Sequence, residues 1–216
     1  MLPMVHSGMK LFVQRFAWLG IVVIALLVSP AAAPAITYDF RNLTTPEPSG
    51  SIADQLFMDV LDLGGGQVLF NFRNTGPDRG SIFTVAFDDN NQLLSDIEVI
   101  NSPGVDFDGS KNGPAIEPIT PSFDNDWVAK KSGGAANGVG LNEWVGIRFA
   151  GNYNSVLADL LSQQLRVGLH VGDLTKGASQ KLVNEPSAKV PEGAMTLTLL
   201  GMGFVSLELL RRRLFA

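Results

Sequence analysis

The feature that most limits how this chain can fold is a repeated alternation of apolar and polar residues with a period of two. In the segment QVLFNFRN, the apolar residues Val68, Phe70 and Phe72 occupy every second position. Side chains two residues apart lie on the same face of a β-strand, so this spacing predicts a strand with one buried face. The same pattern predicts six further strands, over residues 36–43, 56–63, 81–90, 93–100, 143–150 and 165–173.

The alternation also predicts which side chains of two strands face the core. In SIFTVAFDDN, Phe83, Val85 and Phe87 fall on one face and are expected to be buried together. In LRVGLHVGD, His170 falls on the face opposite to the apolar residues and is expected to be solvated. Residues 101–122 are rich in proline and glycine, which predicts a long irregular loop rather than a strand.

One segment has helical spacing instead. From Val156, apolar residues recur at i, i+1, i+4 and i+5 within residues 153–164, and Asn154 or Ser155 is the expected N-cap. A single short helix among many short strands is typical of a mainly β fold. We therefore predict an antiparallel β-sandwich with one short crossing helix over residues 36–184.

Residues 1–35 have the three parts of a secretory signal peptide. Two basic residues and no acid precede an apolar run at 16–28, and small residues follow up to Ala33 and Ala35. As a helix this run would span only about 20 Å, which is shorter than the hydrocarbon core of a bilayer. We expect cleavage after Ala35, because a cut after Ala33 would leave Pro34 at the new N-terminus. An uncleaved N-terminal anchor is the alternative.

The C-terminal end carries a second apolar run. After a predicted linker at residues 185–190, the tail at 191–216 contains an apolar stretch at 194–210 and then three arginines. As a helix the stretch would span about 26 Å, which is the low end for a membrane crossing. Positive charge stays on the cytoplasmic side. We therefore expect both ends to lie in the cytoplasm before processing, and the residues between them to be exported by the secretion translocon and cut by signal peptidase.

Charge and cysteine content exclude several classes of protein. Residues 36–190 contain 19 acidic and 11 basic residues, a net charge of about −8. This balance argues against nucleic acid as a partner. The chain has no cysteine, so thiol catalysis and cysteine-ligated zinc are excluded.

Loop carboxylates suggest one possible site. Calcium takes hard oxygen ligands, and Asp88, Asp89, Asp106 and Asp108 fall in acid-rich segments. No EF-hand spacing is present, and Asp and Asn also form turns without any metal. Calcium therefore stays an alternative to a plain turn role, and no cofactor is predicted.

A second possible site is a sugar-binding surface at Trp127, whose indole could stack on a sugar ring. The only histidine after the predicted signal peptide is His170, and no G-x-S-x-G motif accompanies it. We therefore predict no enzymatic activity, with a secreted hydrolase as the least favoured alternative.

The C-terminal tail has three parts in a fixed order. These are Val190, Pro191 and Glu192, then an apolar span with Leu200, Gly201 and Gly203, and then Arg211, Arg212 and Arg213. In this order they resemble the PEP-CTERM sorting signal of exosortase substrates. Gly193 stands where that signal has its second proline. A weaker likeness to the domains that precede such tails covers residues 66–186.

The resemblance implies a protein of a Gram-negative bacterium that crosses the inner membrane. It would be anchored through the C-terminal helix, processed by a membrane-embedded exosortase, and sorted to the cell surface or the outside. Such proteins are linked to extracellular polysaccharide and biofilm matrix, and the resemblance brings no enzymatic activity. A permanently anchored domain on the periplasmic side, or a carbohydrate- or calcium-binding surface module, are the other functions left open.

Overall fold

The computed structural model describes residues 35–44, 52–113 and 123–189. The predicted signal peptide up to residue 34 lies outside the described residues, and so does the predicted sorting signal with its apolar stretch at 194–210. Within the described ranges, no helix is both long enough and apolar enough to span a membrane.

Ten β-strands and one α-helix form in this part of the chain. Their bounds are β1 (Ile36–Asn42), β2 (Leu56–Gly64), β3 (Gln67–Asn74), β4 (Ser81–Asp89), β5 (Ser95–Asn101), β6 (Phe107–Lys111), β7 (Trp127–Lys131), β8 (Trp144–Ala150), α1 (Tyr153–Ser162), β9 (Leu165–Gly172) and β10 (Gln180–Lys189). The seven strands predicted from the alternation are all present, with ends that differ by at most two residues.

The strands form one continuous antiparallel sheet, in the order β5-β8-β3-β2-β1-β10-β9-β4-β7-β6. The sheet is nearly closed, because its edge strands β5 and β6 lie against each other. The predicted mainly β fold with one helix is therefore confirmed. A sandwich has two separate sheets. Here one half of the sheet is β5-β8-β3-β2-β1 and the other is β10-β9-β4-β7-β6. Because β10 pairs with both β1 and β9, the two halves form one sheet.

The two halves of the sheet pack on each other through aromatic side chains. The ring of Phe87 on β4 lies edge-on to Phe70 on β3 and Phe149 on β8, with centroids 5.1 and 4.9 Å apart. Phe72 on β3 adds a third edge-on contact to Phe87 at 6.1 Å. All four side chains are fully buried, and such ring pairs add about 0.5–1.5 kcal/mol each beyond area burial.

Because β4 contains a β-bulge, the prediction that Phe83 lies in the core is wrong. Ile82 pairs with Val171 and Thr84 pairs with His170, so Phe83 is an extra residue in β4. An extra residue interrupts the period of two. Ile82 therefore joins Val85 and Phe87 in the core, and Phe83 is only half-buried, on the outer face of the sheet with its ring against His170.

The helix α1 crosses from β8 to β9, which lie in different halves of the sheet. The predicted N-cap was wrong by two or three residues, since the side chain of Asn152 accepts a hydrogen bond from the backbone N–H of Ser155 at 3.0 Å. Val156 and Leu160 are buried in the core, whereas Leu161 is exposed.

Two segments predicted to be irregular contain strands. β6 lies within residues 101–122, and β10 continues through residues 185–189, so the predicted linker is wrong for those five residues. Tyr38 pairs with Ala188 at the far end of β10. Pro186 falls where the β1–β10 register shifts, and a proline is tolerated at such an irregularity because no ladder hydrogen bond needs its nitrogen.

Candidate functional site

The seam, defined here as the boundary between edge strands β5 and β6, is closed at one end by a side chain. Asn101 Oδ1 accepts a hydrogen bond from the backbone N–H of Phe107 at 3.0 Å, and Asn101 Nδ2 donates to Phe107 O at 3.2 Å. Further along, a Cβ on Gly109 would lie 2.9 Å from Ile97 Cδ1 and 3.0 Å from Val99 Cγ2. Glycine at this position therefore allows the side chains of β5 to pack directly on β6.

At the other end of the seam, where β5 begins and β6 ends, lies an open polar cleft of about 490 Å³. The ends of four strands meet there, because β4 ends and β7 begins beside them. The polar and aromatic residues that line the cleft include Asp89, Ser95, Asp96, Lys111, Asp126 and Trp127. Two residues that the sequence suggested for different ligands, Asp89 and Trp127, thus share one cleft.

Asp89 is held rigidly at the base of the cleft and is only 2% exposed. Its Oδ2 accepts a hydrogen bond from the backbone N–H of Leu94 at 2.8 Å, and its own N–H donates to Asp126 Oδ2 at 2.8 Å. Asp89 Oδ1 is buried and has no hydrogen-bond partner among the described residues. A buried carboxylate oxygen without a donor is costly, so this atom is a candidate acceptor for a ligand hydroxyl or amine.

Trp127 forms the aromatic part of the cleft. Its ring packs edge-on against the buried ring of Phe149, with centroids 5.6 Å apart. The ammonium group of Lys111 lies 5.3 Å from the centroid of the indole. The core therefore fixes the orientation of the ring, while its half-buried position leaves part of it in contact with the cleft.

Asp88 lies on the opposite face of the sheet from Asp89, because successive residues of a strand point to opposite sides. Its carboxylate is 1% exposed and accepts a hydrogen bond from Arg166 Nε at 2.9 Å. Burial raises the pKa of Asp88, and Asp124 and Asp126 add to the rise, against the opposing effect of Arg166. Asp88 is therefore committed to a buried ion pair and is not a free metal ligand.

The two remaining acids of the suggested calcium set lie further along β6 and its preceding loop. Asp108 accepts a hydrogen bond from Ser132 Oγ at 2.6 Å. Asp106 makes backbone hydrogen bonds to Asn137 and Ser132. Neither lines the cleft, and within the described ranges no group of three or more His, Asp or Glu side chains is placed to hold a metal ion.

His170 lies on the outer face of the sheet, as its alternation predicted. Its imidazole is edge-on to the ring of Phe83, with centroids 6.1 Å apart. Partial burial lowers its pKa, and the charges of Lys181 and Lys130 lower it further. Asp173, which is close in sequence, is paired with Arg79 at 2.7 Å instead.

Several functional candidates were missed or could not be placed. Lys111 joins the cleft because β6 pairs with β7, and Asp126 joins it because β7 pairs with β4. The local signals for Asp126 were the acid-rich segment at 124–126 and its place directly before Trp127. Ala35, beside the expected signal-peptidase cut, is half-buried just before β1. The suggested residues that lie outside the described ranges are Ala33, Val190, Pro191, Glu192, Leu200, Gly201, Gly203, Arg211, Arg212 and Arg213.

No family model, no curated protein and no solved structure matches this chain.

Proposed function

We propose that this chain is an exported, non-enzymatic protein of the bacterial cell surface or extracellular matrix. Its partners would be the secretion translocon, signal peptidase and an exosortase-type membrane enzyme. The proposal is supported by the basic and apolar residues near both ends of the sequence, because the positive-inside rule would keep such basic residues on the cytoplasmic side. The likeness of the tail to a PEP-CTERM signal, from Val190 to Arg213, adds the sorting step.

Within this function, the β domain binds carbohydrate in the cleft at the open end of the seam. One observation carries this part of the proposal: Asp89 Oδ1 is buried with no partner among the described residues, and Asp89 lines the same cleft as the fixed indole of Trp127. A sugar ring offers hydroxyl donors on its edge and C–H groups on its face. The hydroxyls would donate to the carboxylates of Asp89 and Asp126, and the C–H face would pack on the indole.

The export and sorting part is tested by the intact mass of the protein purified from its native host. A mature form that begins near Ile36 and lacks Arg211, Arg212 and Arg213 supports export followed by tail processing. A mature form that keeps the three arginines contradicts processing and supports the second candidate, a permanently anchored domain on the periplasmic side.

The binding part is tested by calorimetric titration of the full-length chain in a polyoxyethylene detergent, which contains no sugar. The probe is a set of oligosaccharides released from the native host's extracellular polysaccharide. We expect Asp89→Asn and Trp127→Ala to weaken binding by about 10-fold or more, because each removes a contact worth at least about 1.4 kcal/mol.

The matched control is Trp144→Ala, since Trp144 is 39% exposed at the start of β8 and does not line the cleft. Its affinity should equal that of the unmodified chain. Equal losses in Trp127→Ala and Trp144→Ala, or no heat with any oligosaccharide, would remove the cleft from the proposal. A parallel titration with calcium chloride tests the calcium-binding alternative, which a flat trace would exclude.

A further inference from the structure

The outer face of the sheet carries a row of basic side chains, separate from the cleft. In register across neighbouring strands, Lys181 on β10 pairs with His170 on β9, His170 pairs with Thr84 on β4, and Thr84 pairs with Lys130 on β7. Paired residues in an antiparallel sheet point to the same face. Lys181, His170 and Lys130 are called the basic row below.

His170 is half-buried on the outer face of the sheet. Residues 168 and 172 share its face of β9, and both are glycines. A Cβ on Gly172 would lie 2.1 Å from Phe83 Cε2, so the ring of Phe83 lies directly over the backbone at Gly172. The imidazole of His170 therefore has the Phe83 ring as an apolar neighbour on one side.

The charge of the basic row is opposite to that of the domain. Residues 36–190 carry 19 acidic and 11 basic residues, yet the two charges that act on the pKa of His170 both belong to lysines, Lys181 and Lys130. Neither lysine forms an ion pair with another described residue. Asp108, which pairs in register with Lys130, has its carboxylate bonded to Ser132 Oγ at 2.6 Å.

A third lysine lies beside the Phe83 ring. The ammonium group of Lys131 lies 4.7 Å from the centroid of the Phe83 ring and donates to the carbonyl oxygens of Gly133 and Gly134. Lys181 on β10 and Lys130 on β7 are separated by β9 and β4, and the residues between them in register are His170 and Thr84 rather than carboxylates. An arrangement of this kind in an acidic domain is stabilised when an anion lies between the positive groups.

We propose that the basic row is a binding site for an oxyanion, either a carboxylate or a sulfate group, carried by a ligand that also contacts the Phe83 ring. The ammonium groups of Lys181 and Lys130 hold the oxyanion from two sides. An imidazole N–H of His170 donates to it between them. A neutral sugar has no negative charge to pair with two ammonium groups, so the ligand of this site differs in charge from the one expected at Trp127.

The test follows the imidazole of His170 by NMR in the full-length chain, labelled at the histidine ring carbons and held in a polyoxyethylene detergent. The chain has two histidines, and a His6→Gln variant assigns the two signals. The probes are sodium sulfate and a hexamer of galacturonic acid. Sodium chloride at equal ionic strength serves as the screening control.

Bound oxyanion favours the protonated imidazole, so both probes should raise the pKa of His170 by about 0.5 or more above the value in sodium chloride. The Lys130→Gln/Lys181→Gln double variant should lose most of this rise. Lys176→Gln, which removes an exposed lysine outside the row, should keep it. A rise with the hexamer alone assigns the oxyanion to a polymer, and a rise with both probes shows that the free ion suffices.

Two results would overturn the proposal. A rise no larger than in sodium chloride for both probes overturns the proposal. So does a rise of equal size in the double variant and in Lys176→Gln, because the effect would then come from the overall charge of the protein.

Discussion

The side-chain amide of Asn101 makes two hydrogen bonds to the backbone of Phe107, one through its oxygen and one through its nitrogen. These two bonds join the edges of a ten-stranded sheet at one end of the seam. At this point, side-chain hydrogen bonds therefore join two strands that elsewhere in the fold would be joined by backbone hydrogen bonds.

Replacing this side chain should open the seam. In Asn101→Ala, both bonds to Phe107 are lost, and we expect the free energy of unfolding to fall by about 1–2 kcal/mol. Urea unfolding followed by tryptophan fluorescence measures the loss. Asn154→Ala is the matched control, since Asn154 is exposed and does not cap α1, and a loss of similar size there would contradict the assignment.

A methyl group at position 109 should separate β5 from β6. The Cβ of Gly109→Ala would lie closer than ordinary contact distance to Ile97 and Val99, and overpacking of this kind costs about 1–3 kcal/mol. Gly134→Ala is the control, because nothing lies within 4 Å of its Cβ position and its φ is −73°. Thermal unfolding should therefore show a lower Tm only for the variant at position 109.

Breaking the buried pair of Arg166 and Asp88 should lower the free energy of unfolding far more than breaking the exposed pair of Arg79 and Asp173. Arg166→Met leaves the carboxylate of Asp88 buried without its cation, and we expect a loss of about 3 kcal/mol or more. Arg79→Met should change stability by less than about 1 kcal/mol, since both partners are exposed. Chemical denaturation of both variants at neutral pH compares them, and equal losses would contradict the burial argument.

His170 should make stability depend on pH. Its pKa in the folded protein is lowered from 6.5, so the unfolded chain binds more protons than the folded one in this range. Stability is therefore full above about pH 6.5 and is lost as the pH falls through the lower folded-state pKa. Between about pH 7.5 and pH 5, the free energy of unfolding should fall more steeply with pH for the unmodified chain than for His170→Asn. An equal pH dependence in the two proteins would contradict the lowered pKa.

Much of the fold could be predicted because local alternation reflects burial. The faces of β3 and β9 follow a period of two without interruption, so Phe70, Phe72 and His170 were placed correctly. The prediction failed where a non-local interaction replaced that period. The bulge at Phe83 depends on the pairing of β4 with β9, and β10 forms across Pro186 because β1 offers a partner.

For the cleft, the sequence predicted individual residues but not which of them lie together. Asp89 and Trp127 were each singled out from residue type, for calcium and for sugar. Their proximity depends on the register of β4 with β7, which no short segment encodes. Lys111 joins them through the β6–β7 pair, and Asp126 through the hydrogen bond that its carboxylate accepts from the backbone N–H of Asp89. The strand β6 was not predicted because glycine and proline surround it.

The pairing of the first strand with the last also determines which way the cleft points. Thr37 pairs with Lys189, so the chain enters β1 and leaves β10 side by side. The register places this exit toward the same end of the sheet as the end of β4 at Asp89, because Asp89 pairs with Leu165 and β10 runs in that direction beside β9. Anything that tethers the chain just after Lys189 would therefore turn the cleft toward the tether, and cutting the tether would free the cleft to face any direction.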